Sequence, residues 1–127
     1  MNVVDSSASL SYFAGDANAD VFAEPIEVQE LLVVPSITIT EVFKHVLRQR
    51  GEEAALVVAA HMNQGRVVPL HADLAMEAAR LGVTHKLPLA DSIIYATAQQ
   101  HRATLWTQDG DFEGLPGVRY LKRPPSE

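Results

Sequence analysis

Four carboxylates stand where apolar segments stop or where a buried helix starts. Asp5 follows Met-Asn-Val-Val, Glu41 follows Leu-Leu-Val-Val-Pro-Ser-Ile-Thr-Ile-Thr, Asp91 lies in Leu-Pro-Leu-Ala-Asp-Ser-Ile-Ile-Tyr, and Asp109 ends Thr-Leu-Trp-Thr-Gln-Asp. An ionised carboxylate at the edge of a core is costly unless something positive compensates it. If the fold gathers the four, a hard divalent cation with oxygen ligands compensates them most simply, and metal-assisted chemistry on phosphate follows. Each acid also has a purely structural reading. Asp5 is a candidate helix N-cap, Glu41 half of a capping box with Thr38, Asp91 a favourable charge in a first helical turn, and Asp109 a turn residue. Asp91 resists that reading most, because Leu87, Leu89, Ala90, Ile93, Ile94, Ala96 and Ala98 surround it with apolar sequence.

Competing chemistries fit less well. A phosphatase of the haloacid-dehalogenase type needs a second Asp two positions after the first, and Ser7 stands there. There is no glycine-rich phosphate loop. His45, His61, His71, His85 and His101 are scattered without metal-ligand spacing, so surface or helix-end roles suit them better than zinc. With no cysteine, thiolate ligands, disulfides and a cysteine nucleophile are excluded. Ser6 and Ser7 have no base nearby in sequence to activate them.

The elements that must position the acids read as short apolar strands alternating with helices. The strands are expected at Met1–Val4, Leu31–Val34, Val67–Leu70, Thr104–Thr107 and Val118–Leu121. Helices are expected from Asp5 or Ser6 through Phe13, over Asp20–Glu27 with an interruption at Pro25, and from Thr38 as N-cap to about Gln49. Others follow over Glu52–Asn63, from Asp73 to a stop at Gly82, and from about Leu89 to His101. This alternation predicts a three-layer α/β/α sandwich around a mostly parallel sheet. In such a sheet the functional crevice lies beyond the carboxyl ends of the strands, where all four acids fall.

A chain of 127 residues with 47% hydrophobic and 20% charged residues fits one soluble domain. We read residues 1–123 as that domain and 124–127 as a disordered tail. No apolar run reaches membrane-spanning length, and the N-terminus lacks the pattern of a signal peptide, so a cytoplasmic protein is expected. The net charge of −6 argues against holding nucleic acid by charge alone. Residues 1–43 carry seven acids and no Lys or Arg, so a polyanion would be met by Lys44, Arg48, Arg50, Lys86, Arg102 or the Arg119, Lys122, Arg123 tail.

At the four acidic motifs, in this order and over nearly the whole chain, the sequence resembles the PIN-domain ribonucleases, above all the VapC-type toxins of toxin–antitoxin pairs. The resemblance implies a PIN-like fold and an Mg²⁺-dependent endoribonuclease, with Mn²⁺ as a substitute. It makes Asp5, Glu41, Asp91 and Asp109 the catalytic and metal-binding quartet, with Ser6 and Thr107 as supporting hydroxyls. Asp109 and Asp111 compete for the fourth position, and Asp109, nearer the strand end, is favoured. The implied partners are an RNA substrate, a cognate antitoxin and a second copy of the chain, for which the apolar helix 52–63 is a candidate surface. Two other classes remain open: another metal-dependent phosphodiesterase, phosphatase or DNA nuclease, and a PIN-like binding module without catalysis.

Overall fold

The computed structural model describes residues 1–125. Its described strands are β1 (Asn2–Val4), β2 (Leu32–Pro35), β3 (Arg66–Val68), β4 (Thr104–Thr107) and β5 (Val118–Tyr120). They form one sheet in the order β3-β2-β1-β4-β5, and every pairing is parallel. The chain starts at the centre, builds outward to β3, then returns across β1 to build outward again. The direction of growth therefore reverses between β1 and β4, the place where open parallel sheets leave a crevice. Val4 is in register with Trp106, and the Asp5 N–H donates to the Trp106 carbonyl at 3.1 Å. Asp5 and Thr107 thus leave the sheet side by side.

Side chains alternate across each strand. Val3, Val33 and Leu105 face α5 (Ala72–His85) and α6 (Leu89–Gln100), whose Leu74, Ala78, Ile93 and Ile94 complete that core. Val4, Val34 and Trp106 face the other way. There they meet Ala8 of α1 (Ser6–Ala14), Phe22 and Ile26 of α2 (Ala19–Glu27), Val42 and Val46 of α3 (Ser36–Arg50), and Ala55 and Met62 of α4 (Glu52–Met62). Burial on both faces explains strands that are apolar throughout instead of alternating with polar residues. The result is the expected α/β/α sandwich.

Three local expectations are corrected. Pro25 does not interrupt α2; its ring is buried beside Phe22 and Ile26, and packing overrides the missing N–H. Gly82 does not stop α5, which runs on to His85 and ends at Lys86 in the left-handed region (φ 57°). The glycine serves close helix approach: a Cβ there would lie 3.2 Å from the Ser92 Cβ on α6. Thr38 does not cap α3. The helix starts three residues earlier than such a cap implies, with Pro35 in the cap position, and the buried Thr38 hydroxyl donates back to the Pro35 carbonyl at 2.7 Å. Among the described residues no helix is long and apolar enough to cross a membrane. Of the expected tail, Pro124 and Pro125 carry no regular secondary structure, and Ser126 and Glu127 lie outside the described residues.

Candidate metal centre

Asp5 occupies the junction of β1 and α1, with 2% of its surface exposed. It caps α1, as an acid in that position should, accepting the Ala8 N–H at 2.9 Å. The cap leaves most of the carboxylate for other partners. Oδ1 also accepts the Ser7 hydroxyl at 2.8 Å, and Oδ2 accepts the Thr107 hydroxyl at 2.6 Å across the β1–β4 boundary. Burial pushes its pKa up to about 6; the Thr107, Ala8 and Ser7 bonds oppose that rise, and the charge of Asp109 adds to it.

The stretch after β4 supplies two more acids. The Asp109 N–H donates to the Thr107 Oγ1 at 2.9 Å, and the Asp109 carboxylate caps a short 3₁₀ turn over Gly110–Phe112 by accepting the Asp111 N–H at 2.9 Å. Asp91 comes in from the first turn of α6 and makes no cap bond; Pro88 is the cap residue there. Asp91, Asp109 and Asp111 each offer a carboxylate oxygen, all within 4.8 Å of one another. The sequence left Asp109 and Asp111 as alternatives, and the fold brings both to Asp91. Burial first, then the Asp109 charge, a hydrogen bond with Asp111, the Asp111 charge and Asp5 together raise the pKa of Asp91 to about 7. Of the apolar residues expected around Asp91, Ile93, Ile94, Ala96 and Ala98 are buried, whereas Leu89 is 78% exposed.

Glu41 and Asp5 stand outside that three-carboxylate cluster. Glu41 is not half of a capping box, since Thr38 does not cap α3. It accepts the Ser6 hydroxyl on Oε1 at 2.6 Å, and Ser6 follows Asp5 in the chain, so Glu41 is tied to the Asp5 end of the crevice. Ser6 therefore bonds Glu41, and Thr107 bonds both Asp5 and Asp109.

The electrostatics point one way. The one ion pair among the described residues, Arg80 to Glu77 at 2.8 Å, lies on the exposed face of α5, far from these acids in function. No Lys or Arg among the described residues is paired with Asp5, Glu41, Asp91, Asp109 or Asp111. An all-oxygen set of mutually repelling carboxylates, two with raised pKa values, fits a hard divalent cation such as Mg²⁺ or Mn²⁺. It does not fit zinc, for which His or Cys ligands would be expected.

Sequence reasoning missed Ser7 and Gln108. Ser7 was weighed as a nucleophile, but its hydroxyl is bound to Asp5. Gln108 is buried between Thr107 and Asp109; its backbone N–H donates to the Ser7 Oγ at 3.3 Å and its side-chain Nε2 to the Ser7 carbonyl at 3.4 Å. The available signal was a polar amide at the end of an apolar strand. Beside Ser7 and Gln108 opens a groove of about 710 Å³, with Leu10, Phe13, Val46 and Val58 in its wall and Arg50 and Arg123 along it.

The PIN domain family model matches residues 3–118. Among solved structures, the chain is similar to one of a toxin–antitoxin complex from Klebsiella pneumoniae, with a TM-score of 0.81 and 26% identity over 97% of this chain and 100% of the other. It is also similar in fold to Mycobacterium tuberculosis VapC20, described as a sarcin–ricin-loop-cleaving toxin (TM-score 0.75, 22% identity, 98% and 100% covered). A third likeness is to DNA-bound VapBC from Salmonella typhimurium (TM-score 0.73, 16% identity, 96% and 98% covered). Comparison with curated proteins gives no significant match.

Proposed function

This chain belongs to the PIN-domain family, and from that premise we propose that it is a Mg²⁺-dependent endoribonuclease acting as the toxin of a toxin–antitoxin pair. The observation that carries the reading is the convergence of Asp91, Asp109 and Asp111 on one point with no cationic side chain paired to them. RNA is favoured as substrate by the likeness to a toxin described as cleaving the sarcin–ricin loop.

Asp91 and Asp109, with Asp111, would hold the cation. Asp5, outside that cluster but close enough for its charge to act on Asp91, has three donors on a carboxylate with roughly four acceptor sites, so one site would remain for the ion. Bound there, a divalent ion supplies a polarised phosphodiester oxygen and a more acidic water. Glu41, held through one oxygen by Ser6, offers the other to orient a water. Ser7 and Thr107 keep Asp5 in a single orientation, so little reorganisation accompanies the reaction.

A cytoplasmic protein with two kinds of protein partner completes the reading. The similar structure described as a toxin–antitoxin complex supports a cognate antitoxin. A basic antitoxin segment would set an Arg or Lys among the carboxylates, and an apolar helix would suit the adjoining groove. A homodimer needs a separate apolar face. On the candidate helix α4, Leu56 and Val57 are exposed, but Val57 lines the groove. Val83 on α5 (82% exposed) and Leu89 at the start of α6 do not line it, so these exposed apolar side chains suit the second copy better.

The test is incubation of purified, antitoxin-free protein with structured RNAs, with Mg²⁺ or with EDTA. Cleavage that needs Mg²⁺ and disappears in Asp91→Asn is expected. Cleavage that persists in EDTA, or at wild-type rate in that variant, would remove the reading.

A further inference from the structure

Two hydroxyls give their protons to Asp5, and the two backbone amides after β4 each hold one of those hydroxyl oxygens. The Gln108 N–H donates to the Ser7 Oγ, whose own proton goes to Asp5 Oδ1. The Asp109 N–H donates to the Thr107 Oγ1, whose proton goes to Asp5 Oδ2. Each N–H takes an acceptor site on its hydroxyl oxygen and so turns the hydroxyl proton away from itself; the Asp5 carboxylate, at 2.6–2.8 Å, is a nearer acceptor than the other hydroxyl at 3.5 Å. The orientation of Asp5 therefore depends on where residues 108 and 109 lie.

Their position is held by one buried amide pair. The Gln108 Nε2 grips the Ser7 carbonyl, and the Gln108 Oε1 accepts the Asn18 Nδ2 at 2.9 Å. The Asn18 Nδ2 also donates to the Lys122 carbonyl at 3.2 Å, in the segment after β5. Asn18 occupies the N-cap position of α2, where its side chain would ordinarily cap the helix, yet it makes no cap bond. Its side-chain amide is committed to Gln108 and Lys122 instead. Both residues are buried, Gln108 at 7% and Asn18 at 9% exposure.

We propose that Gln108 and Asn18 are positioning residues, an amide clamp that fixes the Ser7 and Thr107 hydroxyls on Asp5 and thereby sets the carboxylates for the cation. The proposal rests on the metal-centre reading above. Neither residue touches the ion or the substrate; both act through Ser7 and the residue 107–109 stretch. Partners that orient a metal's ligands in this way typically contribute 10- to 100-fold to affinity.

The experiment uses the full chain, stripped of metal, and measures the Mn²⁺ dissociation constant by calorimetry alongside the metal-free thermal midpoint. Gln108→Met keeps length and removes both amide bonds; Asn18→Ala removes the other half of the clamp. Each is expected to weaken Mn²⁺ binding about tenfold or more, and the double variant no further than the worse single one. Asn63→Ala, which removes an exposed amide bond to Ala59, should leave the affinity unchanged. Affinities within twofold of wild type, whatever the thermal midpoints do, would overturn the proposal and leave the metal centre standing. A wild-type chain that binds no Mn²⁺ would overturn both. Asn18→Ser, which leaves β4 and its flanks untouched, carries the test if the first two variants do not fold.

Discussion

The Thr107 hydroxyl joins Asp5 across the centre of the sheet at 2.6 Å, although the two residues are 102 positions apart. Thr107 is fully buried, so its oxygen has no water to turn to. Thr107→Val keeps the shape and deletes the donor, leaving both Asp5 and the Asp109 N–H short of a partner. Stability should fall by about 1–3 kcal/mol and Mn²⁺ affinity by roughly tenfold, whereas Thr107→Ser should restore most of the affinity. Urea unfolding and metal titration of the two variants check this; a Val variant with wild-type affinity would contradict it.

Asp91→Asn should lower Mg²⁺-dependent RNA cleavage by at least the roughly 10- to 100-fold typical of losing a group that only orients a metal ligand. The same change should leave metal-free stability level or raised at pH 8. Asp91 sits half-buried with Asp109 and Asp111 pressing on it, so an uncharged amide relieves repulsion. Activity assays and thermal melts in EDTA distinguish this from simple unfolding, which would lower both.

The metal-free protein should lose stability as pH rises. Asp5 and Asp91 have folded-state pKa values of about 6 and about 7 against an ordinary 3.8. The folded chain therefore binds more protons than the unfolded chain between about pH 4 and 7. The contribution of these groups is fully present below about pH 4 and is lost as pH climbs through 7. For the buried Asp5 alone the loss approaches about 3 kcal/mol. Urea midpoints in EDTA at pH 5 and pH 8 measure it, and Mn²⁺ should restore stability mainly at the higher pH. A midpoint that rises from pH 5 to pH 8 without metal would exclude this account.

Ser6→Ala unties Glu41 without altering any carboxylate. Cleavage should fall about tenfold while stability changes by less than about 1 kcal/mol, because the bond is only partly buried. A variant as active as wild type would show that Glu41 needs no tether.

Much of this was legible from sequence because the informative signals are local. Apolar runs such as Leu-Leu-Val-Val and Thr-Leu-Trp-Thr are too short for helices and mark β2 and β4 within a residue. Acids at their ends mark the crevice side of a parallel sheet. The misses share the opposite cause. Pro25 and Gly82 read locally as breakers, but partners distant in sequence, the sheet core and Ser92 on α6, decide their roles. Glu41 three positions after Thr38 looks like a capping box until Ser6 claims it. Gln108 offered only a polar amide at the end of an apolar strand, and Asn18 offered less, since the bond that joins them spans 90 positions.

The sheet order also sets a time at which the centre can exist. β1 is made first and lies in the middle, but its pairing with β4 joins Asn2 to Thr104. While a ribosome is still extending the chain, Asp5 has neither Thr107 nor Asp109, and β1 has one bare edge. Growth from the N-terminus can complete the β3-β2-β1 half, yet the half that brings Asp109 and Asp111 to Asp91 waits for nearly the last strand. A product cut short before β4 would carry Asp5, Glu41 and Asp91 without Thr107, Asp109 and Asp111, and so without the three-carboxylate cluster. An unfinished copy lacks the cluster by topology alone.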